Sequence, residues 1–156
     1  MSMPFRVSDL PLRLITGAFI LNSGLNKRGA DEEAAAGMHG MAANAYPFLG
    51  KVDPVTFVKV LSASEIALGA ALMLPVVPSR LAGAGLTAFG GALTGLYLRT
   101  PGMHEEGGVR PTEEGTGLAK DSWLLGAGLS LVLSGCAQEW KHQLKQRRRK
   151  MRKQAH

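Results

Sequence analysis

The sequence predicts an all-α integral membrane protein, a four-helix bundle with an extra amphipathic helical segment on its outer surface. Three observations carry this. Eighteen residues separate Arg80 from Arg99 without a charge, and seventeen separate Asp121 from Glu139. A helix on the surface of a water-soluble bundle carries a charged stripe, and these two segments carry none. Residues 55–77 also supply the roughly 20 mostly apolar residues that a spanning helix needs. The mean hydropathy of +0.05 hides this pattern, because the polar residues are segregated between the apolar runs.

The spans fall at about residues 10–26, 55–77, 80–98 and 122–138, in one membrane domain of residues 1–140 followed by a basic tail, 141–156. The first is short, with Pro11 in its first turn, and no small-x-small cleavage site follows to make it a secretory signal. Residues 30–46 are rich in alanine, with acids near their start where a helix dipole favours them. They are too polar to span, but Met38, Met41, Phe48 and Leu49 can rest on the membrane surface. Asp53 as N-cap and Pro54 at the first helical position open the second span. Pro75 and Pro78 close it, and Ser79 is placed to cap the third. The third span is dense in glycine, and its Gly91-xxx-Gly95 spacing predicts close backbone approach. A polar loop with turns at Pro101-Gly102 and Arg110-Pro111 leads to Asp121 and Ser122, which open the fourth span.

Four spans put both termini on one side. That side carries Arg6, Arg13, Arg80 and the eight basic residues of the tail, so the positive-inside rule makes both termini cytoplasmic. The tail follows a span directly. It is therefore read as a topology determinant held against anionic lipid rather than as a nucleic-acid contact.

Glu65 stands near the middle of the second span. A carboxylate there costs about 2.5–3.5 kcal/mol on insertion scales, against roughly 0.3–0.6 gained per Leu, Ile, Val or Phe. The eleven such residues of this run allow insertion, and the penalty is met by a partner, by protonation or by use. Lys59, six residues earlier, lies about 120° round the helix and roughly 9 Å along it, so the partner comes from another helix. Thr16 and Thr87 are level with Glu65 by depth, Asn22 and Ser23 lie nearer the outer face, and Arg13 can reach up from the inner one. Two readings stand: Glu65 as polar glue for the bundle, or as a proton-carrying or quinone-contacting group. A second cluster, Asn26, Lys27, Lys59, Tyr97, Arg99, Lys120 and Asp121, gathers at the outer boundary. It reads either as headgroup anchors and helix caps or as a site for an anionic or quinone-like headgroup.

Other chemistries are poorly served. A lone Cys136 excludes an internal disulfide and a CxxC pair. His39 and His104 fall in outer segments and His142 and His156 in the tail, which does not suit a transmembrane haem or a metal site. No Walker A, GxGxxG, GxSxG or HExxH pattern occurs, so no catalytic residue is assigned.

The ordered set Asn22, Lys27, Pro47, Glu65, Gly69, Tyr97-Leu98-Arg99-Thr100-Pro101-Gly102, Arg110-Pro111-Thr112 and Lys120-Asp121 resembles the DoxX-like family of small membrane proteins, in its high-GC Gram-positive form. The resemblance runs from about Arg13 to Leu133. It is carried by ITGAFILNSGLNK, YPFLGKVDPVTFVKVLSASEIALGAALMLPVVP, AGAGLTAFGGALTGLYLRTPGM and VRPTEEGTGLAKDSWLLGAGL. It implies a four-helix membrane protein, similar to a family named after a subunit of an archaeal thiosulfate:quinone oxidoreductase and terminal oxidase. Actinobacterial relatives are associated with redox homeostasis at the membrane. The role this implies is a quinone-facing or accessory subunit of a membrane redox or oxidative-stress assembly, with a membrane oxidoreductase as partner. The rival roles are a small transporter or proton-linked channel using Glu65, and a ligand-free scaffold.

Overall fold

The computed structural model describes residues 6–105 and 107–154, with 148–150 and 152–154 described by backbone alone. The chain is all-helical: α1 (Leu10–Lys27), α2 (Glu32–Ala45), α3 (Pro54–Met73), α4 (Ser79–Arg99), the short α5 (Thr116–Lys120) and α6 (Ser122–Gln154). Two 3-10 turns, Val7–Asp9 and Pro47–Lys51, precede α1 and α3. Among the described residues no strand forms, and extended backbone meets only at an isolated bridge between His104 and Pro111.

Local chemistry sets most boundaries. Asp31 and Asp53 are both extended N-caps whose carboxylates accept from the backbone N–H three residues on, at 2.8 Å from Ala34 and 2.9 Å from Thr56. Each satisfies an N–H that the first turn leaves without a partner. Three expectations are corrected. The second span ends at Met73, short of Val77, because Leu74 precedes a proline and is driven to extended backbone. Ser79 lies inside α4, the N-cap being Pro78, and its hydroxyl is used elsewhere. The fourth helix does not stop near Gln138. It is 33 residues long, about 50 Å at 1.5 Å per residue, and continues through the basic tail to Gln154. Of that tail, the side chains of 148–150, 152 and 153, and His156, lie outside the described residues.

The long helices pack as two antiparallel pairs, α1 on α3 and α4 on α6, and glycines set both registers. Gly17 and Gly69 face each other across the first pair, and Gly24 lies against Glu65 and Ile66. Across the second pair Gly83 meets Leu131 and Val132, Gly90 meets Leu124 and Leu125, Gly128 meets Thr87 and Gly135 meets Arg80. The expected 91/95 pair is not the contact: a Cβ on Gly91 would come no nearer than 3.9 Å to Leu125, and Gly95 makes room for the Tyr46 ring. Gly90→Ala, whose methyl would strike the α6 backbone, should therefore cost about 1–3 kcal/mol by overpacking. Gly91→Ala should be neutral or gain up to about 1 kcal/mol of helix propensity. Thermal unfolding of the two variants in detergent checks the contrast, and equal losses would contradict this register. The pairs share one core, in which Ile20 of α1 and Leu72 of α3 meet Ala82 and Leu86 of α4 and Leu124, Ala127 and Leu131 of α6.

One end of this assembly is locked by Arg13, 1% exposed. Its guanidinium donates to the carbonyls of Ala71, Leu72, Leu74 and Val77 at 2.8–3.1 Å, and to the Ser79 hydroxyl at 3.3 Å. The Ala71 and Leu72 carbonyls belong to the last turn of α3, which leaves them without helical partners at the negative end of its dipole, and Leu74 and Val77 lie in the turn that follows. The Ser79 and Ser134 hydroxyls donate to the two oxygens of buried Asp9, at 2.7 and 2.8 Å. The arginine proposed as a partner for Glu65 is therefore spent at the opposite end of α1, tying α1, α3, α4 and α6 together.

Among the described residues, α3 and α4 are the two helices long and apolar enough to cross a membrane. About 28% of each apolar window is buried inside the chain, whereas the core helix of a soluble protein would be mostly covered. Leu14, Ile15, Phe19, Val60, Leu81, Leu129 and Leu133 also project outward.

Candidate functional site

Glu65 is 3% exposed and faces α1. Glycine contact places it opposite Gly24 rather than at the level of Thr16, since Gly17 lies against Gly69 and Leu72, and neither Thr16 nor Thr87 is its partner. Both threonines turn their hydroxyls to their own helices, at Leu12 and Gly83. The difference arises because the first turns of α3 extend beyond the end of α1 and pack against α2. A group central in α3 thus lies near the end of α1.

Its partner is Lys27. Helical side chains lean toward the N-terminus of their own helix, so Lys27, in the last turn of α1, reaches back one turn. Its Nζ donates to Ser23 Oγ at 2.7 Å and to Glu65 Oε2 at 3.0 Å. The lysine side chain is 22% exposed and that of the glutamate 4%. Ser62, one turn before Glu65, donates to the Gly24 carbonyl at 2.7 Å and fixes the two helices at this level. Asn22, the other suggested partner, is exposed on α1, and among the described residues no hydrogen bond joins it to the pair.

The pair forms one wall of a cavity of about 790 Å³, within the roughly 300–1,000 Å³ of small-molecule sites. The other walls are apolar: Phe19 and Ile20 of α1, Phe57 and Leu61 of α3, and Phe89, Leu93 and Leu96 of α4. The charged lining residues are Lys27, Glu65 and Asp121. α2 and the following turn close the remaining side with Met38, Met41, Phe48 and Leu49. These four were expected on the membrane surface; they line the cavity, and Met41 and Phe48 are at the same time among the exposed large apolar side chains. Tyr46 fastens the α2 end by donating to the Ala92 carbonyl at 2.8 Å.

Asp121 closes the short α5 and reaches the cavity beside α6. Burial pushes its carboxyl above the ordinary aspartate range, Lys27 pulls it back, and the Glu65 charge raises it further. A raised folded-state value means that the folded chain holds the proton longer. The stability contribution of this group is then full below about pH 3.9, the unfolded value, and is lost as pH rises through the folded one. Asp121→Asn should therefore gain on wild type in unfolding midpoint as pH is raised from about 4, and a constant difference would count against the proton.

The expected outer-boundary cluster divides. Lys27 and Asp121 enter the cavity with Glu65. Tyr97 is buried, its hydroxyl donating to the Val109 carbonyl at 2.8 Å and its ring edge-on to His104, so it anchors the loop after α4. Arg99 lies over the Tyr46 ring, 4.9 Å from its centroid, where the attraction is cation–π. Lys120 and Asn26 are exposed and Lys59 lies on the far side of α3, none of them lining the cavity. His39 bonds the Leu49 carbonyl and packs on Phe57, and among the described residues no His, Cys, Asp and Glu group is set to hold a metal. Sequence reasoning missed Ser23 as second acceptor of Lys27, although their i,i+4 spacing was visible. It also missed the phenylalanine walls, which come from three helices with no shared motif. Compared with protein-family models, curated proteins and solved structures, the chain matches none.

Proposed function

We propose that the chain is a four-span bacterial inner-membrane protein of the DoxX-like type. Its cavity takes a quinone, and it serves as a quinone-facing or accessory subunit of a membrane redox assembly. α1, α3, α4 and the first half of α6 are the spans, with both termini cytoplasmic at the Arg13 end. Outward-facing apolar side chains along these helices support that placement.

The observation that carries the reading is the Lys27–Glu65 pair in the wall of a cavity otherwise lined by aromatic and aliphatic side chains. Such a site suits a flat, polar-edged ring on a long apolar chain. A bound quinone supplies two-electron, two-proton chemistry. The chain's own part is to donate from Lys27 Nζ to a ring oxygen and to place two carboxyls, Glu65 and Asp121, where they accept or return protons. α2 keeps water from the ring.

The test is quinone extraction from the chain purified in mild detergent, with titration of a short-chain quinone followed by aromatic fluorescence. Wild type should retain quinone and bind the short form in the micromolar range. Glu65→Gln, which keeps the shape, should weaken binding at least tenfold while the protein stays folded. A wild-type chain that carries no quinone and binds none at millimolar concentration would end this reading, and proton flux in proteoliposomes without quinone would favour a channel.

A further inference from the structure

A second groove, of about 670 Å³, lies on the other side of the α1–α3 pair. Its mouth is cationic: Lys27, Arg28 and Lys59 line it and no acidic residue does. Lys27 is engaged with Glu65 and Ser23, while Arg28 and Lys59 are exposed and take part in no ion pair among the described residues. Asp53 feels the charge of Lys59 but spends its carboxylate on the Thr56 N–H. Further along α3 the groove is lined by apolar residues, Ile66, Ala67 and Ala70.

We propose that this groove is a binding site for an anionic phospholipid, with the phosphate between Arg28 and Lys59 and an acyl chain along the alanine-lined face of α3. Charge complementarity selects the headgroup, since two unpaired cations at a membrane boundary attract anionic lipid. The small side chains select the tail, because they leave a trough where larger ones would fill it. A zwitterionic lipid brings its own cation to the same place and is disfavoured there. The site rests on the membrane reading above but not on the quinone, and Lys27, which lines both cavities, is their shared wall.

The experiment uses the full chain in detergent. Binding and thermal stabilisation are measured with phosphatidylglycerol, with phosphatidylcholine and with inorganic phosphate, for wild type, Arg28→Gln/Lys59→Gln, and a control with Lys141, Lys145 and Arg147 changed to Gln. Wild type and the tail control should both be stabilised by phosphatidylglycerol well beyond phosphatidylcholine. The double variant should bind it about 25-fold more weakly, each basic side chain near the surface being worth about fivefold. Unchanged affinity in the double variant, or loss in the tail control alone, would overturn the site. Equal stabilisation by inorganic phosphate would overturn the lipid as occupant. Release of the chain from membranes by carbonate without detergent would overturn the membrane reading and this site with it. Quinone content is read on the same samples, so the cavity assignment can fail while this one stands.

Discussion

Replacing Lys27 with Met should destabilise the folded chain by about 3–5 kcal/mol, the range for a buried ion pair stripped of one partner. Glu65 is left 4% exposed, facing the Gly24 backbone with no cation beside it. Because Lys27 is 22% exposed, water can follow the truncation in, which favours the lower end of that range. Adding Glu65→Leu should recover most of the loss, since a paired apolar replacement of a buried ion pair is often neutral or stabilising. The measurement is a double-mutant cycle on thermal unfolding in detergent, with quinone retention on the same four proteins. A rescued double variant without quinone would show that the pair exists for the ligand. One that keeps its quinone would show that it serves as glue. A coupling energy within about 0.5 kcal/mol of zero, the additivity limit, would mean that the 3.0 Å contact does not operate in solution.

Arg13→Met should be at least as damaging, about 4 kcal/mol or more. Each buried carbonyl left without a donor costs roughly 1–3 kcal/mol; four carbonyls converge on this guanidinium, of which Leu74 alone keeps a backbone donor, the Val77 N–H. The damage should be local to the α3–α4 connection, because Ala71, Leu72, Leu74 and Val77 hold that turn. Arg13→Lys keeps the charge but replaces a planar five-donor fork with a single ammonium, so it should fall between wild type and Met. Denaturant unfolding ranks the three. A Lys variant as stable as wild type would show that the charge, rather than the array of hydrogen bonds, is what matters there.

Segment boundaries were legible in the sequence because short-range chemistry fixes them. Asp53-Pro54 opens α3, and the Gly102 turn takes its expected place with φ +82°. Glu65, Lys27 and Asp121 were also visible as polar residues in apolar surroundings, each with its own reason to need a partner. Which of them meet was not visible. Helix depth offered Arg13 as the cation for Glu65 and left Lys27 in the outer-boundary cluster, and register reversed the two. That register is set by backbone contact at Gly17, Gly24 and Gly69, and a shift of one turn along α1 would have moved Glu65 away from Lys27. The cavity is likewise a tertiary product: Phe19, Phe57 and Phe89 are ordinary apolar residues until two helix pairs and α2 converge around them. Periodicity and capping act over three or four residues, and so the sequence alone determined the helices. Pair choice and enclosed volume depend on how those helices stack, which the tertiary structure alone decided.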